Sequence, residues 1–207
     1  MKKIGILGGT FNPIHHGHLI LGQAAKEEFG LDEILVMPTK NPAYKKISGG
    51  VSEKNRVDMI KLAISDFPYF KFSDIELKRE GTTYTVDTLR ELTKQDTDCR
   101  YYFIMGADSL YQIETWKDPG QIFTMADILV ATRNDSRSAL DAQIDYLEEK
   151  YDGKIYHLSS PSIEISSNDI RKRCSNGLSI HFFLPEDVID YIERNDLYGS
   201  TADRRKA

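Results

Sequence analysis

The chain has 207 residues, 40% of them hydrophobic, and a formal charge of −5. That length can bury one sizeable core, and the negative balance argues against nonspecific nucleic-acid binding, which depends on many Lys and Arg contacts to phosphate. The apolar runs, such as Ile4 to Leu7 and Ile34 to Met37, fall far short of the roughly 20 residues of a membrane span.

Met1-Lys2-Lys3 leads into a short apolar run and then Gly8-Gly9, without a signal peptide's longer apolar region and cleavage site. Cys99 and Cys174 are distant, with neither a Cys-x-x-Cys partner nor zinc-like spacing, and read as reduced thiols. The expectation is a cytoplasmic protein that makes no membrane contact.

In chain order, the pattern predicts a strand at Ile4–Leu7, a helix from His18 to Phe29, a strand at Ile34–Met37 and a helix over Glu53–Ile64. Further strands are expected at Phe70–Ser73, Tyr101–Met105, Ile128–Ala131 and Ile155–Leu158. Helices are expected at Val86–Lys94, Ala139–Tyr151, Asn168–Cys174 and Pro185–Asn195. Strands alternating with helices imply an α/β fold, a doubly wound and mostly parallel sheet with helices on both faces. Gly30 and Gly177 stand where helices end, since glycine takes the left-handed conformation without a Cβ clash. Lys40 to Val51, with Lys45, Lys46, Gly49 and Gly50, reads as a lid loop, and Ser200 to Ala207 as a polar tail.

Gly8-Gly9-Thr10-Phe11-Asn12-Pro13-Ile14-His15-His16-Gly17-His18 leaves the first strand and enters the first helix, at the carboxyl edge where open parallel sheets bind ligands. Two glycines allow a close backbone approach to phosphate, and a helix N-terminus turns free N–H groups toward an anion. His15 and His18 can place two imidazole donors on one phosphoryl group, which suits a reaction that needs alignment and charge stabilisation more than covalent chemistry. On the residues alone, a His-x-Gly-His in a loop is more readily a structural or metal-binding fragment; the strand, double glycine and helix start together reverse that in favour of the phosphate reading.

These residues resemble the His-x-Gly-His nucleotidyltransferase superfamily, related to class I aminoacyl-tRNA synthetases. The resemblance implies a Rossmann-like fold and gives Gly8, Gly9, Thr10, His15 and His18 to ATP, with His15 and His18 stabilising the transition state. Later, Ile165-Ser166-Ser167-Asn168-Asp169-Ile170-Arg171 puts hydroxyls at a helix start and an arginine about one turn in. Such serines cap helices or touch phosphate, and arginine grips two phosphate oxygens. The segment resembles the superfamily's Ile-Ser-Ser-x-x-Ile-Arg signature, which implies that Ser167 and Arg171 hold the β and γ phosphates of ATP.

The middle of the chain, Thr82-Thr83-Tyr84-Thr85-Val86-Asp87-Thr88-Leu89, then Gly106-Ala107-Asp108 and Trp116, resembles nicotinate mononucleotide adenylyltransferases. The closing segment Leu184 to Ile192 is similar too, so the likeness spans nearly the whole chain. It implies one adenylyltransferase domain over residues 1–199 and a tail over 200–207. It also implies Thr85 at the nicotinate carboxylate, Trp116 stacked on the pyridine ring, Asp108 at the sugar, Arg133 near the acceptor phosphate and Lys45 in the lid. Without the resemblance, Trp116 reads as packing, Asp108 as a helix cap and Arg133 as a solvated charge. The implied reaction moves AMP from ATP, taken with Mg²⁺, onto nicotinate mononucleotide, giving deamido-NAD and pyrophosphate. Alternatives are an adenylyltransferase preferring nicotinamide mononucleotide or phosphopantetheine, a noncatalytic nucleotide-binding regulator and a histidine metal module. Whether the chain forms a homo-oligomer is left open.

Overall fold

The structure is a computed structural model that describes residues 1–43, 51–131, 137–161 and 163–199. Its elements are β1 (Lys2–Gly9), α1 (His16–Phe29), β2 (Glu33–Pro38), α2 (Glu53–Ile64), β3 (Phe70–Phe72), α3 (Thr85–Gln95) and β4 (Cys99–Gly106). There follow α4 (Ala107–Tyr111), α5 (Pro119–Met125), β5 (Ala126–Ala131), α6 (Arg137–Tyr151), β6 (Ile155–Leu158), α7 (Ser167–Ser175) and α8 (Glu186–Arg194).

The strands form one six-stranded sheet in the order β3-β2-β1-β4-β5-β6, and each pairing is parallel. The order reverses between β1 and β4, which makes their carboxyl ends the switch point where doubly wound sheets form their crevice. Each strand sends alternate side chains to opposite faces. Leu7, Tyr102, Ile104 and Leu129 enter one core with residues of α1, α2, α7 and α8. Ile4, Ile6, Tyr101, Met105 and Ile128 enter the other with residues of α3, α4, α5 and α6. Burial on both faces explains why the strands read as continuous apolar runs rather than as alternation.

Local signals account for the boundaries. The Ser52 hydroxyl accepts the Asn55 N–H and starts α2, and Gly30 ends α1 at φ 60°. Gly22 lets α1 lie close on the sheet, since a Cβ there would sit 2.6 Å from the Phe70 ring. Two helices outside the expected set, α4 and α5, have five and seven residues, too short for a helical period to stand out. The helix expected from His18 begins at His16, and the one expected from Val86 begins at Thr85. Most of the lid loop and the whole polar tail lie outside the described residues, as do Lys45 and Arg133.

Candidate active site

The turn between β1 and α1 is held from three sides. Arg56, on α2 and only 2% exposed, donates from Nη1 to the Thr10 carbonyl (2.8 Å) and to the Thr39 carbonyl beyond β2 (2.9 Å). Burial lowers its pKa, yet a guanidinium stays charged and so fixes a positive charge beneath the turn. Tyr198 donates its hydroxyl to Asn12 Oδ1 at 2.7 Å, and burial raises the phenol's pKa. The third side is α7. Ser167 Oγ donates to the Pro13 carbonyl at 2.8 Å, and Arg171 Nη1 donates to the Asn12 carbonyl at 2.7 Å. These two bonds knit together segments more than 150 residues apart in sequence.

Phe11 takes φ 47° inside this turn, a left-handed conformation uncommon for a bulky residue. It is buried, and its ring packs over Gly9, where a Cβ would come within 3.2 Å of it. The same ring meets His18 edge-on at 4.9 Å. His15, 4% exposed, is the N-cap of α1, and its ring stacks on His18 at 3.7 Å. The His15 backbone N–H donates to His18 Nδ1 at 3.2 Å. That bond fixes the neutral tautomer of His18, so Nε2 carries the proton and acts as a donor.

Two cavities flank the turn. A narrow one is walled by His15, Gly17, His18 and Leu21 with Gly106 at the end of β4, Ala131 at the end of β5, and Ser160, Pro161 and Ile165. The larger, about 260 Å³, is walled by Gly8, Gly9, Thr10, Thr39, Glu76, Thr83, Thr85, Phe103 and Trp116. The sequence-derived ATP residues thus divide: the glycines and Thr10 border the larger cavity, the histidines the narrow one. Ser167 and Arg171 grip the turn from α7.

Among the residues expected at the acceptor, Thr85 opens α3 and Trp116 meets Phe103 edge-on at 6.1 Å, both in the wall of the larger cavity. Asp108 lies exposed in the first turn of α4, whose N-cap is Gly106, so the capping alternative for Asp108 does not hold. Serine capping does occur, at Ser166, whose Oγ accepts the Asp169 N–H.

Arg56 and Glu76 escaped the sequence reading. Arg56 left a signal, because it falls on the buried stripe of α2 with Met59, Ile60, Ala63 and Ile64, at the spacing of one helix face. Glu76 left none, since its flanks Asp74, Lys78, Arg79 and Glu80 look like a solvated charge run.

Glycine-rich turn, stacked histidines and serine–arginine clamp, set at the switch point of a parallel sheet, define a nucleotidyltransferase. Residues 6–173 match the cytidylyltransferase-like family model. A protein of Lachnoclostridium phytofermentans named "Probable nicotinate-nucleotide adenylyltransferase" is 49% identical over 199 residues, covering 96% of this chain and all of the relative. One of the same name from Thermoanaerobacter sp. is 40% identical, covering 95% of this chain and 94% of its own. The chain belongs to the nicotinate-nucleotide adenylyltransferase family. In fold it resembles the Plasmodium falciparum nicotinic acid mononucleotide adenylyltransferase complexed with NaAD (TM-score 0.79, 20% identity, 97% of this chain and 99% of that one covered).

Proposed function

We propose that this protein transfers the adenylyl group of ATP to nicotinate mononucleotide, giving nicotinate adenine dinucleotide and pyrophosphate, a step of NAD biosynthesis. The observation that carries the reading is the joining of the two phosphate motifs, through Ser167 to Pro13 and Arg171 to Asn12, beside a cavity that holds Thr85 and Trp116.

In this reading a phosphate oxygen of the acceptor attacks the α phosphorus of ATP. The new P–O bond forms as the bond from the α phosphorus to the bridging oxygen breaks, and the electron pair leaves with pyrophosphate. Nε2–H of His18 donates to the α-phosphoryl oxygens as charge builds, and His15 braces it from the stacked position. Thr10 and the glycine turn contact the phosphates, Ser167 helps hold the departing β and γ phosphates and Arg171 neutralises them. Asp108 serves the sugar; Lys45 in the lid and Arg133 near the acceptor phosphate complete the set. Trp116 offers a π face to the cationic ring, and the N-terminus of α3 at Thr85 offers N–H donors to the carboxylate.

The divalent ion is Mg²⁺ bound to ATP as part of the substrate. Among the described residues no group of three or more His, Cys, Asp or Glu is placed to hold a metal. The same proposal takes residues 1–199 as one catalytic domain with 200–207 as its tail, and sets the reaction in the cytoplasm. No helix of the described residues is long and apolar enough to cross a membrane.

The test is mass identification of the product from MgATP offered with nicotinate mononucleotide, nicotinamide mononucleotide or phosphopantetheine. The expected result is a dinucleotide formed fastest from the first. Product from another acceptor only would keep the nucleotidyl chemistry and overturn the acceptor, and no product from any would favour a nucleotide-binding regulator.

A further inference from the structure

The larger cavity has an apolar and hydroxylic wall with one ionisable side chain among the described residues that line it, Glu76. That carboxylate is 8% exposed. Its Oε1 accepts the Thr88 hydroxyl at 2.9 Å, while Oε2 is shut off from water and has no well-formed hydrogen bond from the described residues, the Thr39 hydroxyl only pulling on the charge. Burial pushes its pKa above the usual carboxylate range, against the pull of the Thr88 and Thr39 hydroxyls and the charge of Arg79.

Two cations among the described residues, Arg79 and Lys40, are bonded to other groups. Arg79 spends Nη2 on Glu91 (2.6 Å) and Nη1 on the Thr88 hydroxyl (3.0 Å), and Lys40 donates to the Leu77 carbonyl. A buried carboxylate with one oxygen left without a well-formed hydrogen bond is costly. Its cost is offset when a cation enters the cavity beside it, because attraction across a poorly screened wall is several times stronger than in water.

We infer that Glu76 is the counter-ion of the acceptor's ring: a specificity residue that selects a pyridinium, permanently positive at its glycosidic nitrogen, over an uncharged ring. The inference rests on the acceptor reading above and adds a second polarity to it. The zwitterionic acceptor meets the positive N-terminus of α3 at its carboxylate and the negative Glu76 near its ring. Acceptors bearing a carboxylate or a carboxamide share the ring charge, so Glu76 acts on both, and choosing between them is left to the α3 terminus.

The experiment measures equilibrium binding of nicotinate mononucleotide and of its ring-reduced 1,4-dihydro form, which has lost the ring charge, to the full-length enzyme. Wild type is compared with Glu76→Gln and Thr88→Val, each first checked for folding by thermal unfolding. Glu76→Gln is expected to weaken the oxidised ligand about tenfold or more, the scale of one desolvated charge contact, and the reduced ligand by less than about twofold. Thr88→Val, which keeps the charge and removes its hydrogen bond, is expected to weaken both ligands equally.

Equal loss of both ligands in Glu76→Gln, no loss of the oxidised one, or a charge-selective loss in Thr88→Val would overturn the inference. Should Glu76→Gln fail to fold, the wild type decides: it must bind the oxidised ligand more tightly than the reduced one, and equal binding contradicts the counter-ion. A wild type that binds no pyridinium mononucleotide at all overturns the acceptor reading itself, which a wild type that binds while Glu76→Gln is indifferent does not.

Discussion

The two halves of the site are built on different plans. The half proposed for phosphate is backbone held by side chains: Arg56, Ser167 and Arg171 all donate to carbonyls of the Thr10–Pro13 turn. The half proposed for the acceptor is side chains on a rigid frame, with Ile6 and Met37 from the sheet, Thr85 and Leu89 from α3, and Trp116 from the loop before α5. A turn clamped through its carbonyls is held in one shape, whichever acceptor is used. A wall of separate side chains can change one acceptor for another without disturbing the turn.

That division is open to breakage, beginning where the effect is largest. His18→Ala removes the Nε2 donor while His15 stays buried, so kcat should fall by about 10²–10⁴ with KM for ATP changed far less. Steady-state kinetics in both substrates reads this, and near-normal turnover would move His18 out of the chemistry. Arg171→Lys replaces a guanidinium fork by a point charge, and kcat/KM for ATP should fall roughly 10- to 100-fold. In the same assay the KM of the acceptor should hold.

Trp116→Ala should do the reverse. It removes a half-buried ring that stands edge-on to Phe103, so acceptor KM should rise about tenfold while KM for ATP stays put. If both substrates weaken together, the two halves are not separable. Smallest is Tyr198→Phe, which loses the bond to Asn12 Oδ1 and should lower unfolding stability by about 1 kcal/mol in denaturant melts with little change in kcat.

Legibility in the sequence followed the same divide. The phosphate half is two short runs, each contiguous, and a strand–glycine–helix junction carries its own physical signature. The residues that brace those runs were not visible, because Arg56 sits in Glu53-Lys54-Asn55-Arg56, which looks solvated until its place on the stripe with Met59 and Ile60 is weighed. The left-handed Phe11 had no glycine or asparagine to announce it; only the packed ring explains it. In the half proposed for the acceptor, Thr85 and Trp116 came from resemblance, since no spacing rule joins residues from separate segments of chain. Glu76 came from neither, its burial and its bond from Thr88 of α3 being tertiary features.

The central claim is that motifs more than 150 residues apart brace one triphosphate. Its most direct test is a double-mutant cycle in kcat/KM for ATP with His18→Ala, Arg171→Lys and the pair. Residues acting on one transition state lose less together than the product of their separate losses. The account therefore predicts a coupling of at least about 1 kcal/mol, with the double variant scarcely worse than His18→Ala. Full additivity, each loss multiplying the other, would contradict it and leave the two motifs as neighbours that do separate work.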